Sequence, residues 1–208
     1  MGEKLKIFDD NRIEIGVADR NEVHKKGHWH ETFHCWVVDK NEGVDYIYFQ
    51  KRSHNKKDFP NLFDITAAGH ILANENVEDG VREVKEELGI DIHIEELRSL
   101  GVIEDSIITT NFIDRELANV FLYEKKDTDF FTIQREELSG IVRAEFNNFY
   151  DLCLGKTAEI LVKGFEVTEI GERITINKAV RLEDFVPHQK EYLEKVVRLI
   201  LNYMKFLN

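Results

Sequence analysis

A chain of 208 residues that is 42% hydrophobic can bury one substantial core, and a net charge of -12, from 40 acids against 28 lysines and arginines, argues against gripping a nucleic-acid backbone. Cys35 and Cys153 are too few for a disulfide framework and lack zinc-site spacing, so both read as small buried hydrophobes. Lys4, Lys6, Asp9, Asp10, Arg12 and Glu14 interrupt the first twenty residues, leaving no apolar core for a secretion signal, and no later run approaches a membrane span; a cytoplasmic protein without membrane partners is the expectation.

Residues 13–18 alternate as a short strand, and the polar, histidine-rich stretch 21–34 leads into Cys35-Trp36-Val37-Val38, a buried strand. Residues 45–50 form its partner, because Asp39-Lys40-Asn41-Glu42-Gly43 between them has hairpin-turn chemistry. A helix is expected just before Gly89, strands over 92–103 and 116–123, and a second helix over 147–154. The segments 165–168 and 173–176, joined around Gly171, predict a hairpin. A final helix from His188 onward carries Tyr192, Val196, Leu199, Tyr203 and Phe206 near helical period. This tail is expected to pack on the core or on a second subunit, which leaves a homodimer open. Strands and helices mixed in this order indicate an α/β sandwich.

The chemistry concentrates in Arg82-Glu83-Val84-Lys85-Glu86-Glu87-Leu88-Gly89. Glu83, Glu86 and Glu87 stand at i, i+3 and i+4, which gathers three carboxylates on one helix face, while Val77, Val81, Val84 and Leu88 fall on the opposite stripe. Asn76 and Asp79 supply a start signal and Gly89 a stop. Clustered acids repel one another unless a cation sits among them; the alternative is a solvated face paired with Arg82 and Lys85.

Taken with Gly69 and Glu75 upstream, the stretch reads Gly69-x5-Glu75-x6-Arg82-Glu83-Val84-x-Glu86-Glu87-x-Gly89-Ile90, which resembles the Nudix box. The family pattern places seven residues between its first Glu and the Arg where this chain has six; either the loop is one residue shorter or Asn74 takes the Glu position. The resemblance implies an α-β-α sandwich on a mixed sheet over residues 28–160, preceded by an N-terminal extension (1–27) with a short strand and followed by a C-terminal hairpin and helix extension (161–208). It also implies Mg²⁺, or Mn²⁺ in its place, held by Glu83, Glu86 and Glu87, with Arg82 bracing them.

The preceding basic loop, from Lys51 to Asp64, resembles that of type I isopentenyl diphosphate isomerases, which share the Nudix fold. That likeness implies that Arg52 and Lys56 hold a substrate diphosphate, one as a fork and the other as a point charge. The isomerases also hold a metal through histidines and a glutamate, and the positions resembling theirs are His30, His70 and Glu116, with His24 a looser match; Gly69 and His70 are expected at the substrate. A cysteine that takes part in proton transfer in the isomerases is Ala68 here, and the isomerase helix lacks most of the carboxylates that this chain retains. The expected activity is therefore magnesium-dependent hydrolysis of a small diphosphate, prenyl or nucleoside, with an isomerase and a ligand-sensing module as alternatives. Phe59, Phe63, Phe112 and Phe121 are candidate lining residues.

Overall fold

The computed structural model describes residues 2–110 and 112–206. Strands β1 (Lys4–Phe8) and β2 (Glu14–Asp19) pair as an antiparallel ribbon, and helix α1 (Arg20–Lys26) follows, closing on Gly27 at φ 68°. The long strand β3 (Trp29–Asn41) passes through Glu42 and Gly43, both at positive φ, into β4 (Val44–Arg52). Two successive left-handed residues give the turn whose twist matches a tight hairpin.

Short strands β5 (Phe63–Asp64) and β6 (Ala67–His70) precede a 3-10 turn (Val77–Val81) and helix α2 (Arg82–Leu88). Strands β7 (Arg98–Ile108), β8 (Ile113–Glu124) and β9 (Leu138–Glu145), helix α3 (Phe146–Cys153), hairpin β10 (Ile160–Val167) and β11 (Arg173–Val180), and helix α4 (Lys190–Phe206) complete the chain.

The sheet runs β11-β10-β9-β4-β3-β1-β2, with β8 lying parallel to β3 and carrying β7, and β6 antiparallel to β3. One parallel pairing among antiparallel ones makes the sheet mixed. Because neighbouring side chains on a strand point to opposite faces, β3 serves two cores. Phe33, Cys35 and Val37 pack with Val84 and Leu88 of α2, and Trp36 and Val38 pack with Phe149 of α3 and Tyr192, Val196 and Ile200 of α4. The result is an α-β-α sandwich. Each fully buried side chain of α4 contributes roughly 1.5–3 kcal/mol relative to exposure.

The C-terminal hairpin does not stand apart: β10 pairs with β9 from Lys163↔Arg143 to Glu166↔Gly140 and so lengthens the sheet. Several expectations shift. The N-terminal strand, β2, has a partner in β1, and the histidine-rich stretch divides into α1 and the start of β3. The strand expected at 92–103 begins at Arg98, because Ile92 and Ile94 pack against the α2 core from outside the sheet. Along α4, Tyr192 and Val196 are buried and Leu199 and Tyr203 partly so; the side chain of Phe206 lies outside the described residues. Both cysteines are buried free thiols. Among the described residues, no helix is long and apolar enough to cross a membrane.

Candidate active site

A cavity of about 570 Å³ brings together residues distant in sequence: Arg52 and Lys56, Gly69 and His70, Arg82, Glu83, Glu86 and Glu87, and Asp114 and Glu116. Local structure fixes its acidic wall. Asn76 accepts from the Glu78 and Asp79 amides while Asp79 accepts from the Asn76 amide, a reciprocal box that starts the 3-10 turn, and Gly89 ends α2 at φ 72°. Val84 and Leu88 anchor the helix, which turns Glu83 and Glu87 inward against β6 and leaves Glu86 half-exposed at the rim.

Strand β6 pairs with β3 on one edge, and on the other its Ala68 amide donates to Glu87 Oε2 at 3.1 Å. Gln50 Nε2 donates to the same oxygen at 3.2 Å. Gly69 makes room for the second carboxylate, since a Cβ there would lie 2.2 Å from Glu83 Oε1. Burial raises the Glu83 carboxyl to about 7. Burial, reinforced by the charge of Glu83, lifts Glu87 well above the usual carboxylate range. Two buried acids that repel each other are held ready for a counter-ion. An all-oxygen carboxylate set of this kind fits Mg²⁺ or Mn²⁺.

Arg82 braces the wall. Its Nε donates to Glu75 Oε1 at 2.8 Å and Nη2 to Glu75 Oε2 at 3.0 Å and to the His70 carbonyl at 3.1 Å, while Nη1 serves Glu83 and, at 3.2 Å, Glu86. Glu75 therefore engages the arginine across the six-residue spacing. The basic wall is bound to carboxylates as well: Arg52 Nη1 lies 2.8 Å from Asp64 Oδ2 and donates through Nε and Nη2 to the Asp58 carbonyl, and Lys56 pairs with Glu137.

A second donor set faces the first. One ring nitrogen each of His24, His30 and His70 lies within 4.8 Å of the others, and the same limit holds for His30, Asp114 and Glu116. His30 Nε2 and Asp114 Oδ1 approach to 3.3 Å, a buried pair that a shared cation could bridge. Burial holds the His24 imidazole down at about 4 and His70 well below its ordinary value, so both stay neutral and able to ligate. Burial and the charge of Asp114 raise Glu116. Mixed imidazole and carboxylate donors suit a transition ion such as Mn²⁺ or Zn²⁺.

Sequence reasoning missed Asp114, although its i, i+2 relation to Glu116 puts both on one face of β8. It also missed that Glu137, Asp64 and His188 line the cavity and that Asp105 stands against His188. Of the four phenylalanines, Phe59 and Phe112 line the cavity, whereas Phe63 and Phe121 belong to the two cores. Phe121 lies one residue out of phase with Glu116, so it points through the sheet to the other side.

A family model for the NUDIX domain matches residues 28–163. An uncharacterized Nudix hydrolase of Clostridium acetobutylicum is 40% identical over 201 residues, 96% of this chain and 98% of that protein. An isopentenyl-diphosphate Delta-isomerase of Photorhabdus laumondii is 31% identical over 123 residues, 59% of this chain and 67% of that one. A crystal structure of a Deinococcus radiodurans protein superposes with a TM-score of 0.53 at 18% identity, covering 74% of this chain and 90% of its own, a likeness of fold. By its matched domain, its near-full-length relative and its acidic helix, the chain belongs to the Nudix hydrolase family.

Proposed function

We propose that this Nudix hydrolase cleaves a small diphosphate, prenyl or nucleoside, with Mg²⁺ or Mn²⁺ as cofactor. The observation that carries the reading is the shared cavity: Glu83 and Glu87 are buried on one wall while Arg52 and Lys56 stand on the same cavity's rim. Glu83, Glu87 and the half-exposed Glu86 would hold the ion at the α2 wall, and Glu116 would hold one with the histidines. Bound there, a divalent ion neutralises phosphate charge and acidifies water.

The chain's own groups do the rest. Arg52 offers a planar fork and Lys56 a point charge to the diphosphate oxygens; Lys56 exchanges Glu137 for a substrate oxygen, while Arg52 turns its Nε and Nη2 edge from the Asp58 carbonyl to the substrate and keeps Asp64 on Nη1. Gly69 leaves the room that the Glu83 carboxylate takes beside the substrate, and His70 lines the cavity. One α2 glutamate would take a proton from water as the water oxygen bonds to phosphorus and the bond to the leaving oxygen breaks, that oxygen departing with the electron pair. Arg82 keeps the glutamates oriented without touching substrate.

Screening prenyl and nucleoside diphosphates for phosphate release, with and without magnesium, tests the reading. Glu87→Gln is expected to lower turnover by a factor of about 10² or more, as removal of a group acting on the transition state does. Undiminished turnover in that variant refutes the assignment.

The histidine cluster and the isomerase relative favour a second reading, isomerisation of isopentenyl diphosphate. That chemistry needs a proton donor and an acceptor on opposite sides of a carbon skeleton, and Ala68 supplies neither. Incubation with isopentenyl diphosphate is expected to yield no dimethylallyl isomer.

A further inference from the structure

The segment entering α4 reaches into the cavity wall. Val186 N donates to the Phe63 carbonyl at 2.8 Å, and Gln189 N donates to Asp105 Oδ1 at 2.9 Å, which stitches residues 186–189 to β5 and β7. Between these two ties the His188 side chain is only 8% exposed, with carboxylates on both sides. Its Nδ1 is 2.5 Å from Asp105 Oδ2 and its Nε2 is 2.9 Å from Asp64 Oδ1.

A neutral imidazole has one N–H and would set a lone pair against one of these two acceptors; two donors are required, so the ring is an imidazolium. Although burial opposes the charge, Asp105 and Asp64 outweigh it and raise the ring to about 10. On its far side, Asp64 accepts from Arg52 Nη1 at 2.8 Å. The four groups form a row of alternating sign, Asp105, His188, Asp64, Arg52, whose last three members line the substrate cavity.

We infer that His188 is a positioning residue for diphosphate binding: it fixes Asp64, and Asp64 fixes the Arg52 fork, so that the C-terminal segment completes the site. The inference rests on Arg52 being a diphosphate ligand. Without the imidazolium, Asp64 and Asp105 become facing buried anions. Asp64 then turns or takes up a proton, and Arg52 loses the partner that holds its plane. In this role His188 acts through Asp64 and Arg52 and performs no proton transfer.

The test is a double-mutant cycle on the full chain, read as inorganic pyrophosphate affinity by calorimetry in the presence of magnesium, with thermal unfolding followed in parallel. Arg52→Ala is expected to weaken binding about tenfold or more, and His188→Gln about tenfold. In the Arg52→Ala background His188→Gln is expected to change affinity less than about twofold, because its effect passes through Arg52. With a substrate that turns over, His188→Gln raises KM by the same factor and leaves kcat within about threefold. Should the single variant unfold, His188→Gln combined with Asp105→Asn removes the surplus negative charge and serves in the same cycle.

Loss of affinity in Arg52→Ala with none in His188→Gln overturns the inference and leaves the diphosphate reading standing. Equal losses in both backgrounds also overturn it, since a merely structural histidine acts independently of Arg52. Unchanged pyrophosphate binding in Arg52→Ala removes the diphosphate reading of that arginine and the inference with it.

Discussion

Replacing Gly69 by alanine isolates the geometry of the acidic wall from the stability of the fold. The backbone at Gly69 lies in strand β6, outside the positive-φ region, so alanine can adopt it without strain. The added Cβ would lie 2.2 Å from both Cδ and Oε1 of Glu83 and 2.6 Å from Oε2, where ordinary contact begins at 3.4 Å. The carboxyl must therefore retreat by about 1.2 Å. It can do so cheaply, being the end of a flexible side chain, and the loss of a glycine's freedom in the unfolded chain offsets part of the cost; stability should change by less than about 1 kcal/mol. Metal–oxygen distances tolerate only about 0.2 Å, and a misplacement of roughly 1 Å in a reacting assembly costs about 10²-fold, or about 2.7 kcal/mol of transition-state stabilisation. Gly69→Ala should thus keep its melting temperature, weaken Mn²⁺ binding measured by electron paramagnetic resonance, and lose about 10² in kcat/KM on whichever diphosphate the wild type cleaves. A well-folded variant with wild-type Mn²⁺ affinity and turnover would show that Glu83 is not a metal ligand.

The buried acids also predict how pH and metal are linked. Burial raises Glu83 from 4.5 to about 7, so the metal-free fold gains stability from protonated Glu83 that is complete below about pH 4.5 and lost as pH climbs through about 7, on the order of 3 kcal/mol in all. A divalent ion takes the proton's place, so stabilisation by magnesium should grow between about pH 5 and pH 8. Unfolding temperatures in chelator and in magnesium that run parallel over that range would falsify the linkage. Gly164 on β10 answers to backbone rather than side chain: a Cβ there would lie 2.1 Å from the Ile141 carbonyl oxygen across the sheet. Gly164→Ala should destabilise by roughly 1–3 kcal/mol through forced separation of β9 and β10, and an unchanged denaturant midpoint would contradict that pairing.

What could be read from sequence follows from how far apart the interacting residues are. Glu83, Glu86 and Glu87 owe their grouping to helical geometry, and the start and stop of α2 are set by Asn76, Asp79 and Gly89 within the same few turns; such features are local and therefore legible. The even-numbered face of β3 and β8, with His30 opposite Glu116, follows from strand alternation once the parallel pairing is known, but no local signal announces that pairing. Strand β6 is four residues, three of them alanine or glycine, and β9 lies between a polar loop and α3, so neither shows enough periodicity to stand out. The row from Asp105 through His188 to Asp64 joins partners separated by 83 and 124 positions, and its ends are ordinary acids in their own segments. The chain bears the loop-closure cost of bringing them together only in the folded state, where the sheet and α4 have already fixed their places. The acidic helix can thus be recognised without the fold. Whether Arg52 is held still enough to bind a diphosphate depends on a residue that the sequence marks only as the start of a terminal helix.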